Sequence, residues 1–524
     1  MNRQEMINRV ADRTTPWDIV VIGGGATGVG VAIDAAVRGL DVLLLEAKDF
    51  GKGTSSRSTK LIHGGVRYLE QGNISLVMEA LKERGLLRQN APHLVHDLAF
   101  IVPNYSWWEA PFYGIGMKVY DLLAGKYGFG RSRILSSEET ITRLPNLQTE
   151  GLRGGVVYYD GQFDDTRLLI HMAATAADHG GTLLNYAPVV EITKDADGFA
   201  DGVVLRDEET GQTHKAAAKI VINATGMFAD SVRQMTEPDA TAMIAPSQGI
   251  HLVFERSFLR ADSALMVPHT SDGRVLFAIP WHNHTVVGTT DTPIEKATYE
   301  PLPFEEEIQF ILDTAAQFLS RPPTRADILS IYVGIRPLVK ADSAGGKTSA
   351  LSRDHTIHID GAGLITIVGG KWTTYRHMAE DCVNHAITLG RLDDKPCATR
   401  DLKLHGYHAS AEKFGELEVY GSDALAIQAL GQQDPSLLAP MHPALPYCPA
   451  EVIWAARSEM ARSVEDILAR RTRALFLNAQ AAIDLAPQVA TILAAELGQD
   501  QHWIDNQIAT FRTLAAQYKV PELP

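Results

Sequence analysis

Cysteine is nearly absent: Cys382, Cys397 and Cys448 are the three in 524 residues. An odd, sparse set without paired spacing argues against a disulfide framework and against a zinc site, and a reducing cytoplasm is the simplest home. Long apolar runs are missing too. Nowhere do ~18 uninterrupted apolar residues occur, so no transmembrane helix is expected and any membrane contact has to be peripheral. Met1 to Trp17 is polar and charged, without the apolar centre and cleavage pattern of a secretory signal. Positive charge is the minority sign, with 48 Lys and Arg against 63 Asp and Glu and a formal net charge of −15. Such a chain is a poor candidate for nonspecific nucleic-acid binding, although a local basic pocket for an anion remains open to it. No internal repeat or low-complexity run occurs. With 45% hydrophobic and 21% charged residues, the chain has globular composition, and its length calls for several domains or one large split domain.

What is present begins with a strand, a turn and a helix. Asp18 to Ile22 reads as a short buried strand and runs into Gly23-Gly24-Gly25-Ala26-Thr27-Gly28. Val29, Ala32, Ile33, Ala36, Val37 and Leu40 recur at helical spacing, with Gly39 as the stop. Val42 to Leu45 is a second apolar strand, closed by Glu46. Two parallel strands need a helical crossover, so this is a βαβ unit. In that setting the glycines form a dinucleotide fingerprint. Gly23 permits the tight turn, Gly25 lets the backbone approach a pyrophosphate, and Gly28 lets helix and strand pack closely. The diphosphate lies at the positive end of the helix dipole, and Glu46 stands where a carboxylate holds ribose hydroxyls. The fingerprint alone does not separate NAD from FAD. The hydroxyl-rich run Thr54 to Lys60 suits a chain lying along a cofactor's phosphates and ribityl arm, and equally a solvated loop.

Further along, Asp165 to Asp178 looks helical, and Thr182 to Tyr186 and Lys219 to Asn223 look like strands. Val275 to Ile279 and Thr285 to Gly288 look antiparallel around the turn Trp281-His282-Asn283-His284. Leu364 to Val368 is a last strand, ending at Gly369-Gly370-Lys371. His282 and His284 have no third ligand at a recognisable spacing, so a solvated turn is the expectation rather than a metal site. Beyond about Pro396 strand signals fade, and Val452, Ile453, Ala456, Met460, Val464, Ile467 and Leu468 mark one amphipathic helix. Trp107, Trp108, Phe112, Tyr113, Ile115, Met117, Tyr120, Leu122 and Leu123 form an aromatic-rich stretch, interspersed with Lys118, Lys126, Arg131 and Arg133. That composition fits either an interfacial membrane segment or a core helix.

Two runs carry a specific resemblance. Ile22 to Gly30, with Ala32, Asp34 and Arg38-Gly39, is similar to the N-terminal signature of FAD-dependent glycerol-3-phosphate dehydrogenases. Gly369-Gly370-Lys371-Trp372-Thr373-Thr374-Tyr375-Arg376, with Ala379, resembles their second signature. Between them Ser55-Ser56, Lys60 to Tyr68, Asn223 to Gly226, Gly288 to Asp291 and Gly334 to Leu338 follow the family's order. Arg470 to Arg473 through Leu477-Asn478 resembles its helical domain, so the likeness spans essentially the whole chain.

The resemblance implies an α/β fold: a Rossmann-like FAD-binding domain of the glycine/D-amino-acid oxidase type, an inserted antiparallel-sheet substrate domain and a C-terminal helical domain. The implied boundaries are 1–75, 155–240 and 354–395 for FAD, 76–154 and 241–353 for substrate, and 396–524 for the helical domain. The last would cap the FAD domain or pair subunits in a homodimer. By the same resemblance Gly23, Gly25, Gly28 and Glu46 would hold the ADP half, and Ser55, Ser56, Lys60, His63 and Gly64 the phosphates and flavin. Val190 would contact the adenosine part, Gly226 would border the cofactor, and Gly370, Lys371, Thr373 and Thr374 would lie by the isoalloxazine. The implied substrate is sn-glycerol 3-phosphate, oxidised to dihydroxyacetone phosphate, with electrons leaving for a membrane quinone from a protein resting on the inner face of the cell membrane.

Arg67, Arg336 and Arg353 match positions facing that substrate, and arginine suits phosphate because its planar fork bonds two oxygens at once. Tyr68 adds a hydroxyl donor. For the proton of the alcohol, His251 is the preferred base because neutral imidazole works near pH 7, with Lys371 beside the flavin as rival. An oxidase using dioxygen, an amine or amino-acid oxidase of the same fold, and a catalytically silent flavin scaffold are the alternative readings.

Overall fold

A computed structural model describes the chain except residues 67–68, 70–72, 271–272, 341–353, 433 and 522–524. Among the described residues the strands make two sheets, of eight and ten strands. The eight-stranded sheet grows from the glycine-rich unit. Trp17–Ile22 pairs in parallel with Val42–Leu45 on one side and with Thr213–Asn223 on the other. Thr182–Leu184 extends the first side, and Ile365–Gly369 followed by antiparallel His355–Ile359 extends the second. The central strands are apolar along their length because both faces are covered. Helices Ala26–Val37, Asp165–Asp178 and Tyr375–Gly390 close one face. Helix Arg3–Ala11 and the arm Val189–Lys194, Ala200–Arg206 close the other.

The ten-stranded sheet is mixed. Ile244–Glu255 pairs over ten positions with Ser330–Val339, and Val95–Asn104 over ten with Gly154–Phe163, both antiparallel. Ser263–Val267 joins Val95–Asn104 in parallel. The whole of Gly154–Phe163, and Leu61–Ile62 beside it, belong to this second sheet. Residues 154–163 thus hydrogen-bond within the ten-stranded sheet, whereas the resemblance places 155–240 in the FAD-binding domain; the helix Asp165–Asp178 that follows packs on the first sheet.

The C-terminal region is helical, but not as periodicity suggests. Helix Pro449–Ser458 stops short, Met460 turns left-handed at φ 58°, and Asp466–Arg471 forms a wide turn. The apolar spacing of 452–468 therefore covers two elements and not one helix: Met460 between them packs into the core of the first sheet, whereas Val452, Val464, Ile467 and Leu468 face another core. That core is shared with the second sheet: Ser330 Oγ donates to Leu475 O at 2.8 Å, and Tyr332 packs on Phe476. No described helix is long and apolar enough to cross a membrane.

Candidate active site

The cofactor cleft is shaped by where a side chain has no room. At Gly23, φ is +113° and a Cβ would stand 2.7 Å from Ala224 O; at Gly28 it would stand 1.9 Å from Gly23 O. Helix and strand therefore meet backbone to backbone. At Gly25 a Cβ would touch Ser55 Oγ alone, at 3.2 Å, so this backbone is bare toward the cleft. Helix Ala26–Val37 starts there without a side-chain cap at Gly25, and Ala26 N–H donates to Ser55 Oγ at 2.9 Å. Glu46 is buried; its Oε2 accepts from Gly24 N–H at 2.6 Å and its Oε1 from Lys48 N–H at 2.8 Å, while burial raises its pKa.

These residues border a cavity of about 270 Å³ that continues past Pro188, Val189 and Gly226 to Gly369, Gly370 and Lys371. Thr54, Lys371 and Trp372 belong equally to a second cavity, about 340 Å³, lying against the ten-stranded sheet. The junction is pinned from both domains. Trp372 Nε1 donates to Ser55 O at 2.9 Å and Thr54 Oγ1 to Ile335 O at 2.7 Å.

The second cavity brings together His63, His251, Arg336, Lys371 and Thr373 from the sequence reading, and adds Arg274, Met266 and Phe277. His251 is buried, stacked on Tyr332 with ring centres 4.6 Å apart, and its Nε2 lies 2.9 Å from Thr59 Oγ1. Its Nδ1 has no hydrogen-bond partner among the described residues. Burial holds this imidazole well below its usual pKa, and the Lys60 and Arg336 cations push the same way. Arg336 lies over Gly249, where a Cβ would stand 2.6 Å from Nη2. It donates to Thr290 O at 3.0 Å and sits 3.3 Å from Asp291 Oδ1. Asp291 in turn accepts from Ser247 Oγ.

Other expected residues lie elsewhere. Lys60 lines neither cavity: it is fully buried, with Nζ 2.6 Å from Asp165 and 2.7 Å from Ser56 O, boxed by the rings of Trp281, Tyr332 and Phe476. Burial drives its pKa down to about 7 against the pull of Asp165. Ser56 points inward to Gly51 O, and Gly64 N–H is spent on Asp160. Thr374 caps Lys371 O from a buried position. Val190 faces solvent, and its neighbour Val189 lines the cleft. The turn is solvated at Asn283, whereas His282 is bonded to Asp164 at 2.9 Å and His284 is buried. Arg67, Tyr68 and Arg353 lie outside the described residues.

The motif reading placed Arg470 to Arg473 in the helical domain and missed the buried carboxylates and carbonyls that they hold. Asp49 accepts from Arg470 and Arg471, at 2.5 and 2.7 Å, and Arg473 donates to both Ser56 O and Asp165. Burial alone would raise the Asp49 carboxyl, but Arg471 and Arg470 hold it low. Arg274 also went unseen, because it belongs to no motif; its backbone N–H donates to Thr270 Oγ1 at 3.1 Å.

A phosphate-ready helix start, opening into a cation-bearing cavity between two sheets, defines a dinucleotide-dependent oxidoreductase. The donor set fits FAD: a bare Gly25 backbone at the helix start, the Glu46 carboxylate at the ribose position, and a cleft reaching Lys371. Residues 18–376 match the FAD dependent oxidoreductase family, and 365–503 match the C-terminal domain of alpha-glycerophosphate oxidase. A human mitochondrial glycerol-3-phosphate dehydrogenase is 42% identical over 95% of this chain and 73% of its own length. One from Arabidopsis thaliana is 43% identical over 94% and 85%. The chain belongs to the glycerol-3-phosphate dehydrogenase family of FAD-dependent oxidoreductases. The Bacillus halodurans glycerol-3-phosphate dehydrogenase, solved in complex with FAD, superposes with a TM-score of 0.80 at 29% identity, covering 100% of this chain and 98% of that one. Glycine oxidase from Geobacillus kaustophilus shares the fold alone, with a TM-score of 0.54 at 19% identity over 74% of this chain and 99% of that one.

Proposed function

We propose that this chain oxidises sn-glycerol 3-phosphate to dihydroxyacetone phosphate and passes the electrons to a membrane quinone while resting on the inner face of the cell membrane. The observation that carries the reading is the cavity holding His251, Arg336, Arg274 and Lys371 together, opening at Lys371 onto the cofactor cleft. A phosphorylated alcohol asks for a cationic end and a proton acceptor within one small chamber.

Bound FAD supplies the hydride acceptor, at its N5 atom. The residues do the rest. Arg336 offers a planar fork to the phosphate, which would replace its long contact with Asp291 by charge-assisted bonds. His251 is neutral at pH 7 and takes the hydroxyl proton as the carbon gives up hydride. The dianionic phosphate nearby offsets the Lys60 and Arg336 charges and so raises the basicity of the imidazole when substrate is in place. Lys371 at the junction is the alternative base.

Membrane docking is supported by helix Glu109–Ala124. Its buried face is Tyr113, Met117 and Tyr120, whereas Leu122 is 81% exposed with Phe112, Ile115 and Val119 also outward, and Trp107 just ahead of the helix is 78% exposed. The buried face fits the core-helix reading of this stretch, and the exposed face supports the interfacial one. Beside it an apolar cavity of about 560 Å³, lined by Phe112, Ile115 and Val119, shares Val66, Met266 and Val275 with the substrate chamber, a route suited to a quinone ring.

Anaerobic addition of glycerol 3-phosphate to the purified yellow protein tests the reaction: bleaching of the flavin is expected, and an unbleached flavin would overturn it. Rapid hydrogen peroxide formation in air, with no effect of vesicles, would replace the quinone by dioxygen.

A further inference from the structure

One cavity of about 620 Å³ lies away from the flavin and substrate chambers. It is lined by Lys82, Arg88, Lys126 and Arg400, with Tyr127 and Tyr407 among its walls. Four cations converge on one concavity of a chain whose net charge is −15. The carboxylate lining it, Asp401, accepts from Gln89 at 2.8 Å. Arg88 pairs with Asp97 at 2.9 Å, and Arg400 stands 3.5 Å from Glu380. Lys82 and Lys126 have no ion pair among the described residues; Lys126 Nζ lies 5.1 Å over the Tyr127 ring. Lys403, 4.4 Å over the Tyr407 ring, adds a further ammonium behind the wall. Arg88 and Arg400 thus already share carboxylates, and Lys82 and Lys126 are the cations that an incoming anion would neutralise.

We propose that this cavity takes a phosphate group, and that its source is the headgroup of an anionic phospholipid. The surroundings choose between lipid and free phosphate. Helix Ile74–Asn90 exposes Ile74 and Met78 and then presents Lys82 one turn later. The helix packed beside it exposes Val119 and Leu122 and leads directly to Lys126. Each element thus passes from apolar to cationic along its exposed side, and the two cationic ends meet in the cavity. A dissolved phosphate needs no apolar approach, whereas a lipid brings an acyl region and a phosphate in that order. The inference rests on the peripheral docking proposed above and assigns that docking a headgroup preference.

The test uses the FAD-loaded full chain with vesicles of phosphatidylcholine alone or with added phosphatidylglycerol. The variant Lys82→Gln/Lys126→Gln/Arg400→Gln is compared with a control that removes the same charge elsewhere, Arg9→Gln/Arg206→Gln/Lys215→Gln. The preference of the unmodified protein for phosphatidylglycerol should fall by roughly fivefold per removed cavity cation, about a hundredfold in all. The control should keep most of it, and both should reduce a soluble dye normally. The double variant Lys82→Gln/Lys126→Gln, which breaks no ion pair, should show an intermediate loss. If cavity variant and control lose the preference equally, or neither does, the inference is wrong while the docking reading survives. If no protein binds either vesicle, the docking reading fails as well. If inorganic phosphate alone raises the melting temperature of the unmodified protein but not of the cavity variant, and phosphatidylglycerol is not preferred, the site takes a soluble phosphate and the lipid assignment is overturned.

Discussion

At His251 burial and chemistry pull in opposite directions. Its surroundings keep it neutral well below the usual histidine range, so the free enzyme should not lose its base on mild acidification. We expect kcat/KM for glycerol 3-phosphate to hold from pH 8 down to about 6.5 without an imidazole limb, since the folded-state pKa lies below the unperturbed value of about 6.5. An acid limb centred above about 7, too high to be the substrate's own phosphate ionisation at about 6, would remove His251 from the role. His251→Asn should slow anaerobic bleaching by about 10²- to 10⁴-fold with FAD content unchanged. If Lys371→Met alone does so, the base is Lys371. Arg336 makes a different prediction. A charge-assisted hydrogen bond contributes about 1.5–3 kcal/mol, so Arg336→Met should weaken substrate binding roughly 10- to 150-fold while leaving FAD in place. The measurement is the substrate dependence of bleaching, with glycerol, which lacks the phosphate, a very poor substrate even for the unmodified protein.

At the level of elements, the glycine turn and the aromatic helix each concentrate one function. Gly25→Val would put a branched side chain into the bare wall of the cleft, where a Cβ already approaches Ser55. Flavin occupancy, read from the visible spectrum, should be lost together with the stability linked to cofactor binding. Full occupancy would show that the diphosphate lies elsewhere. In helix Glu109–Ala124 the buried positions Tyr113, Met117 and Tyr120 carry the packing, and Phe112 is exposed, as are Trp107 and Trp108 just ahead of the helix. Replacing those three by serine should abolish vesicle co-sedimentation and its stimulation of quinone reduction, while dye reduction persists. Loss of dye reduction would mean that they hold the substrate domain together.

Over the whole molecule, the C-terminal region is tied to the cofactor domain by buried charge. Besides the arginines under the cleft, His405 bridges Asp178, at the end of helix Asp165–Asp178, and Asp423, at 2.6 and 3.0 Å. Its bond to Asp178, then that to Asp423, raises its pKa to about 9. The folded state therefore holds this proton more tightly than the unfolded one. The stabilisation is complete below about pH 6.5 and disappears as the pH rises through about 9. After allowance for screening at a partly exposed site it amounts to about 1–2 kcal/mol. His405→Gln should lower the thermal midpoint at pH 6 and leave it nearly unchanged at pH 10. An equal effect at both pH values would reduce the bridge to packing.

The sequence by itself determined the βαβ start, the places of Gly23, Gly25, Gly28 and Glu46, helix Asp165–Asp178 and the family. Each of these is local: a turn, a period or a short motif specifies its own backbone. It also put His251, Arg336 and Lys371 on a common list, but from resemblance and from the chemistry of imidazole, since no spacing along the chain relates residues 35 to 120 positions apart. Tertiary structure decided what surrounds them. Only packing shows that Lys60 turns away from the cleft into an ion pair with Asp165, because burial and partner choice depend on Arg473 and Phe476 arriving from the far end of the chain. Packing likewise assigned Gly154–Phe163 to the second sheet and split 452–468 into two elements, since periodicity records which side faces a core and not which core it is. The cation-lined cavity at Lys82, Lys126 and Arg400 belongs wholly to that second kind of knowledge: in sequence these are scattered surface charges, and only the fold makes them neighbours.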